Sequence, residues 1–377
     1  MTRSHLSIGI VGGGPAGCAT ALALQKQFAS SSEKAEITLI TAPDSGTPKI
    51  GETVPPAASS YLRELDLESL LSEEFHLRCP GSLSQWGDES VGYNDFFITP
   101  IGQGFHLDRT LFDKNLLSAC FKRGVTVVEN TKVTAIKQSD RTISLNCEPE
   151  LDKHEFDFIV DASGQHRVVT RSLSVANNLF DRVVSVCAFV ELESNSSAPA
   201  HTIVSSDEYG WWYAARLPNN RAILSFNTDA DELKQRRLNS NEKWYHAFCN
   251  NQWFYTQCCE QFNQAIPSPR VLFVRTAPSS ILSAVIGDNW LAVGDAASSY
   301  DSISSAGITK SLKQGIRAAK AILNWVDNPN KASLSAYQAL VFQDFNEFIK
   351  LHQLHYDSGA HRFPNSAFWQ RRLLNEI

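Results

Sequence analysis

The glycine-rich segment that begins at Gly12 constrains the fold of this chain more than any other feature. It reads Gly12-x-Gly14-x-x-Gly17, directly after the apolar run 8–11 and directly before the helix-prone stretch 18–24. In that context the first glycine permits a tight turn and the second lets a pyrophosphate approach the backbone. The third lets the helix pack against the strand, and the helix start offers free N–H groups to phosphates. A purely structural turn is the alternative, but the strand-to-helix context favours a dinucleotide site.

Composition and charge fit a globular protein that contains one large domain or two intertwined ones. The chain has 377 residues, of which 43% are hydrophobic and 20% are charged. That is enough to bury a core and hold a large cofactor. The formal net charge of −6, without a block of lysine or arginine, argues against a nucleic-acid partner. No run approaches about 18 uninterrupted apolar residues, so we expect no membrane span.

Cysteine usage and the start of the chain bear on the cellular compartment. The eight cysteines form neither a CxxC pair nor a Cys/His cluster with metal-ligand spacing, so we expect no metal site. We interpret the adjacent Cys258 and Cys259 as packing residues. The first predicted strand begins near residue 6, which leaves no room for a signal peptide. We therefore expect a cytoplasmic protein.

Strand and helix patterns alternate towards both ends of the chain and change character in the middle. Strands are predicted at 6–11, 36–40 and 125–128, and helices at 57–76, 111–123, 310–326 and 333–357. The segment 158–164 is predicted as a buried strand that ends in small polar residues, and 290–297 as a strand followed by a small-residue turn. Alternating segments at 183–193 and 211–226 predict antiparallel sheet, and an aromatic-rich helical region follows at 231–263. These patterns predict an α/β fold in which a β-rich insert interrupts a nucleotide-binding domain.

The same layout predicts three regions. Residues 1–80, 101–172 and 270–327 form a discontinuous cofactor-binding domain, and residues 81–100 and 173–269 form a substrate domain. Residues 328–377 form a helical C-terminal region.

The residue after the second strand departs from the usual dinucleotide pattern. An acidic side chain about twenty residues beyond the glycines normally binds the cofactor ribose. Thr41 holds that position here, and Asp44 in the following loop is a candidate substitute. We therefore expect modest cofactor affinity.

Three separated motifs give the chain a family resemblance. The glycine motif, Asp161-Ala162-Ser163-Gly164 and Gly294-Asp295-Ala296-Ala297 occur in the order and approximate spacing of the FAD-dependent aromatic hydroxylase superfamily, which the chain resembles over nearly its whole length. The resemblance implies FAD as the cofactor. It also implies an FAD-binding Rossmann-like domain of the glutathione-reductase and aromatic-hydroxylase type, an antiparallel β-rich substrate domain and a helical C-terminal tail.

This resemblance also implies which residues contact FAD. The first motif would hold the pyrophosphate, Asp295 the ribityl hydroxyls, and Arg109 the phosphates, although a buried salt bridge is an alternative role for Arg109. The cofactor-binding residues implied in this way are Gly12, Gly14, Pro15, Ala16, Gly17, Thr41, Glu52, Thr53, Arg109, Asp161, Gly164, Gly294, Asp295, Gly307 and Ile308.

A narrower resemblance is to the halogenase-type branch of that superfamily. It is carried by Lys49-Ile50-Gly51-Glu52-Thr53-Val54-Pro55-Pro56, by the segment 294–308, and by the tail from His355-Tyr356 to Phe368-Trp369. Tryptophan halogenases of this branch use a lysine a few residues before a tryptophan and carry a WxWxIP motif. This chain has no lysine between residues 50 and 113, and its segment 210–218 stands in place of WxWxIP without matching it. A lysine relay of hypohalous acid is therefore not expected.

The chain looks more similar to a sister group, the flavoproteins that accompany amino-acid oxidases carrying a cysteine tryptophylquinone. The resembling stretches include Gly51-Glu52-Thr53, the segments 80–87 and 104–109, and Phe368-Trp369. The resemblance implies an FAD-dependent monooxygenase that hydroxylates a tryptophan in the precursor protein of a quinone-containing amino-acid oxidase, during tryptophylquinone biogenesis. The chain departs from the group at Thr41, Ser298 and Ser302, so we expect weak or reversible FAD binding.

The candidate catalytic and substrate residues follow from that chemistry. Glu52 would lie near the flavin ring and assist proton transfer, or serve as a structural acceptor for backbone N–H groups. The predicted substrate pocket is lined by Trp86, His106, Trp211 and Trp212, for which ordinary core packing is the alternative. A protein substrate predicts a wide, exposed entrance.

The electron source and two rival functions stay open at this point. No second GxGxxG marks a nicotinamide domain, so either NAD(P)H docks transiently or a separate reductase supplies electrons. One rival is a flavin-dependent halogenase or hydroxylase of a small aromatic compound. The other is a flavin-fold chaperone or scaffold for a precursor protein.

Overall fold

A computed structural model describes residues 6–31, 34–96, 102–139, 141–151, 155–193 and 199–373.

The strands in chain order are β1 (Leu6–Val11), β2 (Ala35–Ile40), β3 (Thr53–Val54), β4 (Leu77–Cys79), β5 (Gly81–Gln85), β6 (Val91–Asp95), β7 (Gly104–His106), β8 (Thr126–Val128), β9 (Lys132–Gln138), β10 (Ile143–Glu148), β11 (Glu155–Phe156), β12 (Phe158–Asp161), β13 (Asn177–Leu179), β14 (Val183–Glu191), β15 (Thr202–Asp207), β16 (Gly210–Leu217), β17 (Arg221–Asp229), β18 (Phe273–Thr276), β19 (Ser280–Leu282), β20 (Trp290–Ala292) and β21 (Ser298–Ser299). The helices are α1 (Pro15–Ala29), α2 (Ala57–Glu64), α3 (Arg109–Lys122), α4 (Val168–Ser172), α5 (Ala230–Arg236), α6 (Asn241–Asn250), α7 (Gln252–Phe262), α8 (Gly307–Asp327), α9 (Ser335–Arg362) and α10 (Ala367–Leu373). None of these helices is both long and apolar enough to cross a membrane.

A parallel sheet of five strands, in the order β20-β12-β1-β2-β8, carries the glycine turn. Its central strands are buried on both faces, with Ile8 and Ile10 enclosed on one face and Ile159 on the other, as parallel sheets require. Helix α8 crosses α1 closely because residue 315 is a glycine, where a Cβ atom would lie 2.7 Å from that of Ala19. The sheet therefore brings the ends of β1, β12 and β20 to one edge.

A seven-stranded sheet, in the order β18-β14-β17-β16-β15-β5-β6, forms the second layer. Strands β14, β16 and β17 pair antiparallel, whereas β5 joins β15 in parallel. Helices α6 and α7 cover one face with the apolar side chains Trp244, Phe248 and Phe254. A small antiparallel sheet, β3-β7-β4, pairs Thr53 with His106.

The predicted division into regions is not tested by these contacts and stays a prediction. Residues 1–5, 97–101 and 374–377, which the predicted regions include, lie outside the described residues.

Two predicted helices differ from the structure. The helix expected at 57–76 ends at Glu64, because Asp66 adopts a left-handed conformation with φ of 55° and Leu67 N–H bonds back to the carbonyl of Leu62 at 2.8 Å. The helical region expected at 231–263 is three helices. Arg237 ends the first with φ of 54°, and the side chain of Asn251 caps the third. Leucine spacing and aromatic content correctly predicted that both segments contain helix. They did not predict where the helices end within each segment.

Candidate active site

The glycine turn lies where the carboxyl ends of β1 and β12 meet. Gly12 has φ of +118°, and a Cβ atom there would lie 2.2 Å from the carbonyl oxygen of Ala162. A Cβ atom at Gly17 would lie 1.9 Å from the carbonyl oxygen of Gly12. Both positions therefore need glycine so that β1, α1 and β12 can pack together.

Gly14 differs from its neighbours because the space beside it is open. No heavy atom lies within 4 Å of the position that a Cβ atom would occupy. Gly14 is the N-cap of α1, Pro15 occupies the first turn, and the free N–H groups there favour an anion. The space beside Gly164 and Gly307 is open in the same way. This open, donor-lined cradle fits the phosphates of a dinucleotide.

Thr41 and Asp161, two further predicted cofactor contacts, lie at this edge of the sheet but differ in whether their side chains are free to meet a ligand. Thr41 lies beside the turn, its Cβ atom 2.9 Å from where a Cβ atom of Gly13 would stand. Asp161 is fully buried, and its carboxylate accepts hydrogen bonds from Ser163 N at 3.1 Å and Thr170 N at 2.9 Å. In the structure Asp161 thus fixes the turn that follows β12, and direct contact with a cofactor stays a prediction.

Asp295 and Lys310 form an ion pair at the same edge. Gly294, with φ of +61°, packs against Ala16, which brings the following residue beside the glycine turn. The Lys310 ammonium lies 2.6 Å from an Asp295 oxygen and also donates to the carbonyl of Ser298. Burial lowers the pKa of Lys310, and the charge of Asp295 opposes that shift. Asp295 keeps 40% of its side-chain surface exposed, so it can still meet a ligand hydroxyl.

Arg109 makes the salt bridge that was the alternative to a phosphate contact. Its guanidinium lies 3.3 Å from Asp113 and donates to the carbonyls of Ile50 and Gly51. Its Nε atom is buried without a hydrogen-bond partner. Arg109 therefore fixes the segment before β3, and its contact with flavin phosphates stays a prediction.

Glu52 is a buried carboxyl group at the start of β3. It is 3% exposed, and one oxygen accepts from Gly51 N at 3.0 Å while the other has no hydrogen-bond partner. Burial raises the pKa of Glu52 from 4.5 to about 7, against the opposing charges of Arg109 and Arg221. Such a group exchanges a proton near neutral pH, as the predicted proton-transfer role requires.

Replacing Glu52 with glutamine is expected to stabilise the cofactor-free protein at alkaline pH only. The folded state holds the Glu52 proton more tightly than the unfolded state, so wild-type stability falls as pH rises from about 4.5 to about 7. The full difference is about 3 kcal/mol. Thermal unfolding at about pH 5 and about pH 8 measures it, with Glu129→Gln on the surface as the control. A stability difference between E52Q and wild type that does not change with pH would contradict the assignment.

A cleft of about 630 Å³ lies between the seven-stranded sheet, the loop after β21 and helix α9. Its walls include Trp86 and Val204 from the sheet side, and Phe348 from α9. Tyr300 stacks on Phe348 with ring centroids 4.2 Å apart. Lys310 reaches the same cleft, which therefore adjoins the edge that carries Asp295.

The predicted substrate residues are divided between three places. Trp86 lines the cleft, and Trp211 packs behind it with ring centroids 6.1 Å apart. Trp212 does not line the cleft as predicted. Neighbouring residues of a strand face opposite sides of the sheet, so Trp212 points away from the side of Trp211. Its ring packs in the core under α6 and α7, 5.1 Å from that of Trp244.

His106 also lies away from the cleft walls. It is fully buried, and its Nε2 atom lies 3.1 Å from the hydroxyl of Thr202. Burial lowers the pKa of His106 to about 3, so the ring is neutral. Thr53 belongs to the same polar cluster through its hydroxyl, 2.7 Å from that of Tyr213. Packing in the core, the alternative to lining the substrate pocket, therefore describes His106.

Sequence reasoning missed the contribution of α9. Phe348, Leu351, His352 and His355 line the cleft although the chain separates them from Trp86 by more than 260 residues. Their spacing of three and four residues places them on one helix face, which was the signal available in the sequence. Nothing in that spacing shows which strand the face meets.

Comparisons with known proteins show the family of this chain. A model of the family described as tryptophan halogenase matches residues 7–100 and 93–377. LodB of Marinomonas mediterranea, assigned as an FAD-dependent oxidoreductase, is 30% identical over 372 residues, which cover 96% of this chain and 95% of LodB.

Solved structures share the fold. The flavin-dependent halogenase CmlS superposes with a TM-score of 0.82 at 22% identity, covering 100% of this chain and 68% of CmlS. QhpG, a peptidyl tryptophan dihydroxylase essential for tryptophylquinone cofactor biogenesis, superposes with a TM-score of 0.75 at 23% identity, covering 97% of this chain and 78% of QhpG. The predicted α/β fold with β-rich sheets and a helical C-terminal region is confirmed. The chain belongs to the tryptophan halogenase family and is an FAD-dependent enzyme.

Proposed function

We propose that this protein is an FAD-dependent monooxygenase that hydroxylates a tryptophan side chain of a precursor protein during tryptophylquinone biogenesis. The observation that carries the proposal is the cleft beside Lys310 and Asp295, because it has an aromatic wall and an exposed rim. The rim includes Leu351, which is 59% exposed, and the exposed His355 and Asn94. A side chain presented by a polypeptide can enter such a cleft from solvent.

The walls of the cleft suit an indole ring. Trp86, Tyr300 and Phe348 offer aromatic faces and edges, against which a planar ring packs favourably. Ser82, Ser84 and Thr309 offer hydroxyl groups for the indole N–H. The cleft volume lies within the range of ordinary ligand sites.

The chain holds the cofactor and the ring, and the flavin supplies the oxidising chemistry. When bound in its reduced form, FAD would supply, together with dioxygen, the oxidising chemistry that places one oxygen atom on an aromatic ring. The cradle at Gly14 and the first turn of α1 would bind the pyrophosphate, and Asp295 would accept from sugar hydroxyls. Glu52 would hold a proton on the buried side of β3. The wall formed by Trp86 and Phe348 would orient the ring and exclude water.

One similarity supports FAD-dependent oxidation, and another supports the choice of a polypeptide substrate. LodB, assigned as an FAD-dependent oxidoreductase, is 30% identical over nearly the whole length of both chains. QhpG acts on a peptidyl tryptophan and shares the fold. We further propose that a separate reductase supplies the electrons and that the protein works in the cytoplasm.

The test compares two forms of tryptophan. The protein, FAD, a flavin reductase and NADH are incubated in air with the quinone-free precursor of a tryptophylquinone amino-acid oxidase, or with free tryptophan. We expect the mass of one or two oxygen atoms to be added to a tryptophan of the precursor and nothing to be added to the free amino acid. Modification of free tryptophan alone, or of a small phenol alone, would reject the protein substrate.

Halogenation is the second candidate, because two ammonium groups, Lys310 and Lys313, line the cleft. Lys313 is paired with Asp344 at 2.9 Å and Lys310 with Asp295, so both are already engaged. Repeating the incubation with chloride or bromide separates the two reactions. A halogenated product that requires the halide would favour this candidate.

A further inference from the structure

His352 on α9 stands between two carboxylates at the wall of the cleft. Its Nε2 atom lies 3.2 Å from an Asp301 oxygen and 3.6 Å from an Asp181 oxygen. The three side chains are 8%, 0% and 4% exposed, respectively. They come from α9, from the loop after β21 and from the segment before β14.

These neighbours determine where the ring carries its proton. Ionised carboxylates only accept hydrogen bonds, so the nitrogen that faces them, Nε2, carries the hydrogen. The lone pair of the neutral ring is then on Nδ1. Nδ1 has no hydrogen bond to any of the described residues, and His352 is one of the residues that line the cleft. An imidazole oriented by carboxylates on one nitrogen and open on the other is the arrangement of a general base.

The two carboxylates are themselves held in place. Asp301 accepts from Tyr356 OH at 2.6 Å and from Ile303 N at 3.1 Å. Asp181 accepts from Ser279 N at 3.0 Å. Because each is fixed by neighbouring backbone or a buried phenol, the imidazole cannot rotate without losing its partners. Both carboxylates face the Nε2 side of the ring, which leaves the Nδ1 side for the substrate.

We propose that His352 is the general base of the cleft and that Asp301 and Asp181 are its positioning residues. This inference rests on the proposed function. In hydroxylation one atom of dioxygen bonds to a ring carbon and the other leaves as water, with two electrons supplied by reduced flavin. The proton on that ring carbon moves to Nδ1 of His352, and the electron pair of the broken C–H bond restores the aromatic ring.

Charged and titratable groups lie around His352 on its own helix, on α10 and on the two loops packed against it. Asp301 and Asp181 face its Nε2 atom. Tyr356 lies one turn further along α9, with its ring tilted by 37° and the ring centroids 4.4 Å apart, and His355 lies on the same helix. Arg372 of α10 lies over the ring of Tyr356 at 5.0 Å.

The decisive variant is His352→Gln, because the glutamine amide can keep the hydrogen bond to Asp301 but has no basic nitrogen. With the holoenzyme and the quinone-free precursor, we expect kcat to fall about 100-fold or more with KM little changed. We also expect the pH profile of kcat to differ between H352Q and wild type. His361→Asn, an exposed histidine on the same helix, is the control and should keep wild-type kcat.

A second readout does not depend on turnover. Nitrogen-15 spectra of histidine-labelled, cofactor-free protein report the tautomer, and we expect His352 to carry its hydrogen on Nε2. Asp181→Asn should shift the pH profile of kcat. An Nδ1–H tautomer, or an H352Q protein with wild-type kcat and pH profile, would overturn the proposal.

Two further outcomes distinguish the role of His352 as a base from a metal site and from a failure of the proposed function. Loss of activity on chelation, restored by Zn²⁺, would overturn it, because the three side chains would then hold a metal ion, which their spacing within 4.8 Å permits. If wild type does not hydroxylate the precursor, the proposed function itself fails, whereas wild-type turnover with an unaffected H352Q rejects only the base.

Discussion

Replacing Gly14 with valine is expected to weaken FAD binding by about 100-fold, equivalent to about 3 kcal/mol. The space beside Gly14 is open in the protein alone, with no heavy atom within 4 Å of a Cβ position, so the fold tolerates the side chain. The same side chain fills the cradle at the start of α1, where the pyrophosphate would approach the backbone. Fluorescence titration with FAD gives the dissociation constant, and thermal unfolding without FAD gives the stability.

Gly17→Ala is the matched comparison for that experiment. A Cβ atom at Gly17 would lie 1.9 Å from the carbonyl oxygen of Gly12, so this smaller substitution should lower the stability of the cofactor-free protein. Gly14→Val should leave that stability within about 0.5 kcal/mol of wild type. If Gly14→Val binds FAD as tightly as wild type does, the cofactor does not occupy this cradle.

Replacing Arg372 with methionine is expected to lower the free energy of unfolding by about 3 kcal/mol. The guanidinium, 5% exposed, lies 2.6 Å from Asp229, which is 10% exposed, so the substitution leaves a buried carboxylate short of a partner. Methionine keeps most of the apolar stem, which separates the loss of charge from the loss of packing. Because Arg372 also lies over the rings of Phe368 and Tyr356, the effect should reach the wall of the cleft.

Arg371→Met supplies the control on the same carboxylate. Arg371 lies 2.8 Å from Asp229 but keeps 46% of its side chain exposed. Exposed pairs contribute little, so we expect a loss of at most about 1 kcal/mol. Urea unfolding of both variants measures the difference. Equal losses would show that burial of the Arg372 pair does not determine its contribution.

The parts of the fold that sequence predicted are those fixed by local pattern. The glycine turn after β1 was predictable because a strand, three spaced glycines and a helix follow one another directly. The end of α2 was not, because it depends on the left-handed conformation of Asp66 within an otherwise helical leucine pattern. Tertiary packing determines where α2 ends, and no residue type in the segment requires the helix to end there.

The site was predicted less completely, for a physical reason that Trp211 and Trp212 illustrate. Both are aromatic residues of β16, yet only one side of a strand can face the cleft, and the sequence does not say which. His352 and Asp301 meet across 51 residues of chain, which no motif spacing encodes. The glycine turn is local and could be predicted, whereas the cleft is assembled from distant elements.

Labelled dioxygen tests the central claim most directly. The protein, FAD, a flavin reductase and NADH are incubated under isotopically heavy O₂ with the quinone-free precursor, and the tryptophan-containing peptides are analysed by mass spectrometry. The account predicts that a tryptophan of the precursor gains the heavy isotope, and that Gly14→Val lowers the gain when FAD is limiting. Oxygen that derives only from water, or a precursor left unmodified while a small aromatic compound is oxidised or halogenated, would contradict it.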